Sequence, residues 1–166
     1  MPEAITLERA RRDKQQGKSP STQAGEFVRE EMDHIRQGKH GARSTKQAIA
    51  IGLSKARRAG LKLGAPKAGR ASSRTRKQAQ RDLAKGRLGS RPVSKRRSRA
   101  TERALKRESR SAASRRALST QAKQAARTRS SASRSQAARK AARTKGPVVR
   151  KRAAQKAAMT RQRRAA

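Results

Sequence analysis

The sequence has no cysteine, no tryptophan and no tyrosine, and only one phenylalanine, Phe27. Without thiols there is no disulfide scaffold, no thiolate-bound zinc and no cysteine catalysis. Without aromatics the chain lacks the residues that bury most area in a core and that stack on unpaired bases. Acid is scarce as well: 10 Asp plus Glu face 48 Lys plus Arg, a formal net charge of +38. Long apolar runs are missing. The best, Ala48-Ile49-Ala50-Ile51-Gly52-Leu53, falls far short of the roughly 20 residues that cross a bilayer. Residues 1–6 show no apolar segment of a secretory signal. These absences lead to the expectation of a soluble, cytoplasmic chain with no membrane partner.

What the chain does have is positive charge, unevenly placed. Residues 1–33 carry seven acids and six bases, whereas residues 34–166 carry 42 bases against Asp82, Glu102 and Glu108. Such a chain repels itself and calls for a polyanion. Nucleic acid is the abundant one. Arg outnumbers Lys by 32 to 16, and the guanidinium fork suits phosphate oxygens better than an ammonium does.

Helical periodicity is confined to the first third. A short helix is expected over residues 2–16, stopped by Gly17. A second, over residues 23–37, has Ser21 or Thr22 as cap, Gly38 as stop and an apolar stripe of Val28, Met32 and Ile35 with Phe27 beside it. A third, over residues 45–59, has the strongest signals. Ser44 and Gln47 are spaced as a capping box, Gly60 follows as a C-terminal stop, and Ile49, Leu53 and Ala56 share a side. Pairing helices two and three makes an αα-hairpin, with Gly52 as a small contact point between them.

From Gly64 the composition narrows to Ala, Arg, Lys, Ser, Gln and Thr, with breaks at Gly64-Ala65-Pro66, Gly69, Gly86, Gly89 and Pro92. Helix propensity there is high, but like charges repel and there is no apolar stripe. The expected fold class is therefore all-α: a small N-terminal helical hairpin within residues 1–63, then a largely disordered basic tail, residues 64–166, that becomes helical on a partner.

The run Gly38-Lys39-His40-Gly41-Ala42-Arg43-Ser44-Thr45-Lys46-Gln47-Ala48-Ile49-Ala50-Ile51-Gly52-Leu53-Ser54-Lys55-Ala56-Arg57-Arg58-Ala59-Gly60, with Glu26–Met32 as its lead-in, resembles a bacterial family of small basic proteins of unassigned function. The resemblance spans residues 25–61 and implies no activity. The tail separately resembles, in composition, the Ala/Lys/Arg tails of linker histones and bacterial histone-like proteins.

The functional expectation is sequence-independent DNA binding and compaction, as by a histone-like, nucleoid-associated protein. The residues expected to meet phosphate are Lys39, His40, Arg43, Lys46, Arg57, Arg58, Arg96, Arg97, Arg115, Arg116, Arg139, Lys140, Arg143, Lys145, Arg150, Lys151, Arg152, Arg163 and Arg164. RNA or ribosome association is the first alternative, and a helical protein-interaction module anchored by the tail is the second. A helix-turn-helix, suggested by the small-residue spacing of Ala48, Gly52 and Ser54, is the sharper DNA-binding alternative; it is weakened by a second helix of only residues 54–59 before Gly60 and by Arg58 standing where an apolar contact is wanted. No catalytic, cofactor or metal residue is assigned. There is no phosphate-binding loop, HExxH or nucleophile elbow. His34 and His40 are the only histidines. They are expected to be solvent-exposed, with the neighbouring Glu30, Glu31 and Asp33 pointing in different directions from His34.

Overall fold

A computed structural model describes residues 2–89 and 94–165, so the expected break at Pro92 lies outside the described residues. It holds seven α-helices and one short 3-10 turn: α1 Ala4–Gln15, α2 Pro20–Arg36, α3 Thr45–Arg58, α4 Ser73–Arg87, α5 Lys95–Lys106, the turn Arg110–Ala113, α6 Arg115–Arg127 and α7 Ser131–Ala165. No strand occurs among the described residues. The chain divides into two compact units, Met1–Gln121 and Ala122–Ala166.

In the first unit α2 is the central element, packed by α1, α3 and the 3-10 turn, while α4 packs on α3. It begins at Pro20, earlier than the Ser21/Thr22 cap implies, because proline suits a first helical turn, where its missing N–H is not needed. Its apolar side feeds two small cores. One joins Phe27 and Ala24 to Ala10 of α1 and Ala56 of α3, with Leu7, Leu53, Leu61 and Leu63 at its margin. The other joins Met32 and Ile35 to Ala48, Ala42, Ala112 and Ala113, flanked by Val28, Ile49 and Leu118.

The face that α3 turns to α2 is Ala48, Gly52 and Ala56, all buried and four residues apart. Small residues let the two backbones approach closely. A Cβ at Gly52 would stand 2.7 Å from the Val28 Cα. The start of α3 is fixed by Ser44, whose Oγ accepts from the Gln47 amide at 3.2 Å. The Gln47 side chain returns to the Arg43 amide at 2.9 Å, one residue before the reciprocal position of a capping box. Gly60 takes φ of 87° just past the helix end, where an L side chain would be strained. As α3 is one continuous helix from Thr45 to Arg58, there is no turn for a helix-turn-helix.

The largely disordered tail is not what the chain forms. After residue 63 the structure continues as helices, and the first unit extends to Gln121. Docking relies on polar groups and small residues instead of large apolar ones. Asp82 of α4 is 1% exposed and accepts from Ser54 Oγ at 2.7 Å, Arg58 Nε at 2.8 Å and Gln78 Nε2 at 3.2 Å. Gly86 lies against the Arg57 carbonyl so closely that no side chain fits.

Residues 105–113 attach to the link between α2 and α3 by backbone bonds. The Gly41 amide donates to the Leu105 carbonyl at 2.9 Å, and the Ala42 amide to the Ser109 carbonyl at 3.0 Å. Thr45 Oγ1 and Arg36 Nε donate to the carbonyls of Ala112 and Ala113 at 2.7 and 3.2 Å. Buried Ala112 and Ala113 complete the second core.

The second unit is helical, and its described residues form no core. Residues 131–145 and 147–165 form α7, interrupted at Gly146, whose φ of 67° and ψ of 170° are not helical; Pro147 follows as a natural first-turn residue. Ser130 Oγ caps its start by accepting from the Ser133 amide at 3.2 Å. None of the described residues of this unit is buried. Its helix rests on the high propensity of Ala, Arg, Lys and Gln, which outweighs the charge repulsion that suggested disorder.

Candidate functional site

The basic residues sort into two groups once the acids are followed. Glu3 pairs with His34 and Lys39, Asp13 with Lys18, and Glu26 with Arg9 and Arg29. Glu30 and Glu31 share Lys55, Asp33 meets Arg29 and Arg36, Asp82 holds Arg58, and Glu102 holds Lys106. Apart from Glu8 and Glu108, every carboxylate side chain thus lies against a base of its own unit. With 48 Lys plus Arg against 10 Asp plus Glu, most of the cations are left without an acid partner.

This division changes the standing of several candidate phosphate contacts. Arg57 is only 7% exposed and donates to the carbonyls of Leu63 and Gly64 at 3.1 and 3.4 Å. Burial lowers its pKa, and the Asp82 charge pulls the other way. Its work is to fold the chain back after α3. Arg58 is held by Asp82, Lys39 donates to Glu3 Oε1 at 3.0 Å, and His40 faces Glu31 at 3.3 Å. The others are exposed: Arg43 and Lys46 at the start of α3, Arg96 and Arg97 on α5, and Arg115 and Arg116 on α6. In the second unit Arg139, Lys140, Arg143, Lys145, Arg150, Lys151, Arg152, Arg163 and Arg164 are all exposed on α7. That unit carries 15 Lys plus Arg and no acid.

The fold also assembles a cluster that the sequence does not announce. Glu31 and His34 are one helical turn apart on α2 and share a face, so the expectation that they diverge fails. The link Gly38–Ala42 folds back and brings His40 to them. Ligand atoms of Glu31, His34 and His40 lie within 4.8 Å of one another. Nor are the histidines open to solvent: their side chains are 13% and 15% exposed, and that of Glu31 is 1% exposed.

Each ring is held from behind. His34 Nε2 donates to Glu3 Oε1 at 2.7 Å, and His40 Nδ1 donates to the Gly41 carbonyl at 3.0 Å. The hydrogen bonds from His34, and then from Lys39, hold the Glu3 carboxyl down at about 2. Lys55 Nζ sits 2.7 Å from Glu31 Oε2 and 3.3 Å from Glu30 Oε1. Its contact with Glu31 is close enough for ion pairing but is not aligned as a hydrogen bond, and both Glu31 oxygens lack a hydrogen-bond partner. Beside His34 opens a polar cavity of about 120 Å³, lined also by Glu3, Arg9, Glu26, Glu30 and Lys39.

Residues 14–68 match DUF6496, a family of unknown function. That span holds the whole α2–α3 pair, the Glu31 cluster and the link between them. It covers about a third of the chain and stops before α4. DUF6496 brings no activity with it. No curated protein and no solved structure matches the chain. No helix among the described residues is long and apolar enough to cross a membrane.

Proposed function

We propose that the protein binds double-stranded DNA through phosphate contacts, without reading base sequence, and compacts it. The observation that carries this reading is the surplus of exposed cations after the acids are spent, most of all the 15 Lys plus Arg of residues 122–166 with no acid among them. Nothing in folding calls for that surplus, because none of the described side chains of the second unit is buried. Neutralised phosphates release counterions, and that release drives association. About ten engaged phosphates give log K a slope near −9 against log salt.

The helical state of these residues favours duplex DNA over RNA. An α-helix fits the major groove of B-form DNA, while the A-form major groove is too narrow for one. The scarcity of aromatics disfavours single-strand stacking. On this reading the first unit is a compact body that adds Arg43, Lys46, Arg96 and Arg97 to the contacts, and the protein resides on chromosomal DNA. The mechanism is not that of a disordered tail: the cations are presented on preformed helices, which lowers the ordering entropy lost on binding.

The test is competition. The full chain is titrated onto a labelled duplex, with unlabelled DNA of two unrelated sequences and duplex RNA as competitors. Equal competition by the two DNAs and weaker competition by RNA is the expected result. Stronger competition by RNA would transfer the reading to RNA, and selective competition by one DNA would require base readout.

A further inference from the structure

We propose that Glu31, His34 and His40 form a binding site for a divalent transition-metal ion, zinc by preference. The donor set of two imidazoles and one carboxylate suits Zn²⁺, and the three ligands leave a coordination position for water. The geometry is close to what the ion needs. In a tetrahedron with bonds of about 2.0–2.1 Å, ligand atoms stand about 3.3 Å apart. His40 Nε2 and Glu31 Oε1 are 3.3 Å apart. The His34 nitrogen lies within 4.8 Å of both ligand atoms, so a modest side-chain adjustment closes the triangle.

Two independent features point to a cation. The first is charge. Glu30 and Glu31 are both buried, and Lys55 supplies one positive charge between the two of them. With His40 neutral, one negative charge is left over in a place where an unpaired ion is strongly disfavoured. Both Glu31 oxygens also lack hydrogen-bond partners. The second is the outer layer. Metal-bound imidazoles commonly donate their other N–H to a carboxylate or a backbone carbonyl. His34 donates to Glu3, and His40 donates to the Gly41 carbonyl. With Nδ1–H used in this way, His40 directs its Nε2 toward the Glu31 carboxylate, 3.3 Å away, where a cation can lie between the two.

The sequence makes the test clean. His34 and His40 are the only histidines and there is no cysteine, so no other imidazole or thiolate site can form. The full chain, freed of metal with a chelator, is titrated with Zn²⁺ by calorimetry and with Co²⁺ by visible absorption. Binding of one ion per chain is expected, with the intense d–d bands of low-coordinate Co²⁺. His40→Ala should lose both signals, and so should His34→Ala. Glu31→Gln should weaken them, and circular dichroism of each variant reports whether it folds. Nitrogen-15 spectra of the histidine rings add a readout independent of the variants: zinc should shift His40 Nε2. No stoichiometric binding, binding retained in both histidine variants, or a His40 Nε2 that carries a proton with and without zinc would overturn the proposal. The cluster would then be an imidazolium–carboxylate pair.

Discussion

Gly25 and Gly52 both lie inside helices, and replacing each by alanine is expected to move stability in opposite directions. Alanine gains about 1 kcal/mol of helix propensity over glycine at either place. At Gly25, on α2, nothing lies within 4 Å of the new Cβ, so Gly25→Ala should stabilise by about 0.5–1 kcal/mol. At Gly52, on α3, the Cβ would stand 2.7 Å from the Val28 Cα and 3.0 Å from the Phe27 carbonyl oxygen and the Val28 nitrogen. The closest approach is about 1 Å short of ordinary contact, and all three atoms are backbone, which cannot swing aside. The helices must part, loosening the fully buried Ala48, Ala56 and Phe27. Overpacking of this kind costs about 1–3 kcal/mol, and backbone crowding belongs at the upper end. Gly52→Ala should therefore destabilise by about 1–2 kcal/mol net, leaving the two variants about 1.5–3 kcal/mol apart. Urea denaturation of the full chain, followed by circular dichroism at 222 nm, measures both. If Gly52→Ala stabilises as much as Gly25→Ala, α2 and α3 do not meet backbone to backbone, and the core described above is wrong.

The docking of the later elements can be tested in the same way. Asp82→Ala removes a buried acceptor of three hydrogen bonds and should destabilise by about 2–3 kcal/mol, the worth of charged hydrogen bonds lost inside a fold. A change below about 0.5 kcal/mol in the urea midpoint analysis, the range of an ordinary surface substitution, would mean that α4 does not pack on α3. Ala113→Glu places a charge in the second core, where Ala113 is 1% exposed. Exchange of the Gly41 and Ala42 amides, which donate to Leu105 and Ser109, should speed up by about a hundredfold or more, because burying an unpaired charge costs several kcal/mol. Unchanged exchange would show that residues 105–113 do not hold the α2–α3 link.

The parts of the fold legible in the sequence are those written in local signals. Phe27, Met32 and Ile35 mark the buried side of α2, and Ser44 and Gly60 bracket α3, because periodicity and capping act within a few residues. The docking of α4 was hidden for a physical reason. It rests on Asp82 meeting partners that include Ser54 and Arg58, far back in the chain, and on the close approach of Gly86 to the Arg57 carbonyl, which adds almost nothing to a count of apolar area. The same holds for Ala112 and Ala113, which cap a core mainly through their carbonyls and their small size. In residues 122–165 helix propensity is visible in the sequence, but so is the repulsion between neighbouring cations, and the sequence alone does not say which of the two prevails. The Glu31 cluster needed two facts that composition does not carry: the three-residue spacing of Glu31 and His34 on one helical face, and the return of the Gly38–Ala42 link that delivers His40. Arg57 looked like one half of a basic pair, and only the turn at Leu63 and Gly64 shows it to be buried.

The central claim is that exposed cations on the helices carry nucleic-acid binding, and a salt series on a charge-depleted chain tests it most directly. Arg139, Lys140, Arg143, Arg150, Lys151 and Arg152 are exposed, so changing all six to glutamine leaves the first unit untouched. Wild type and variant are titrated onto the same duplex DNA at several salt concentrations, with circular dichroism to confirm equal helix content. Each lost phosphate contact should make the slope of log K against log salt shallower by about 0.9, up to about 5 for the set, with a matching loss of affinity at low salt. An unchanged slope and unchanged affinity would contradict the account.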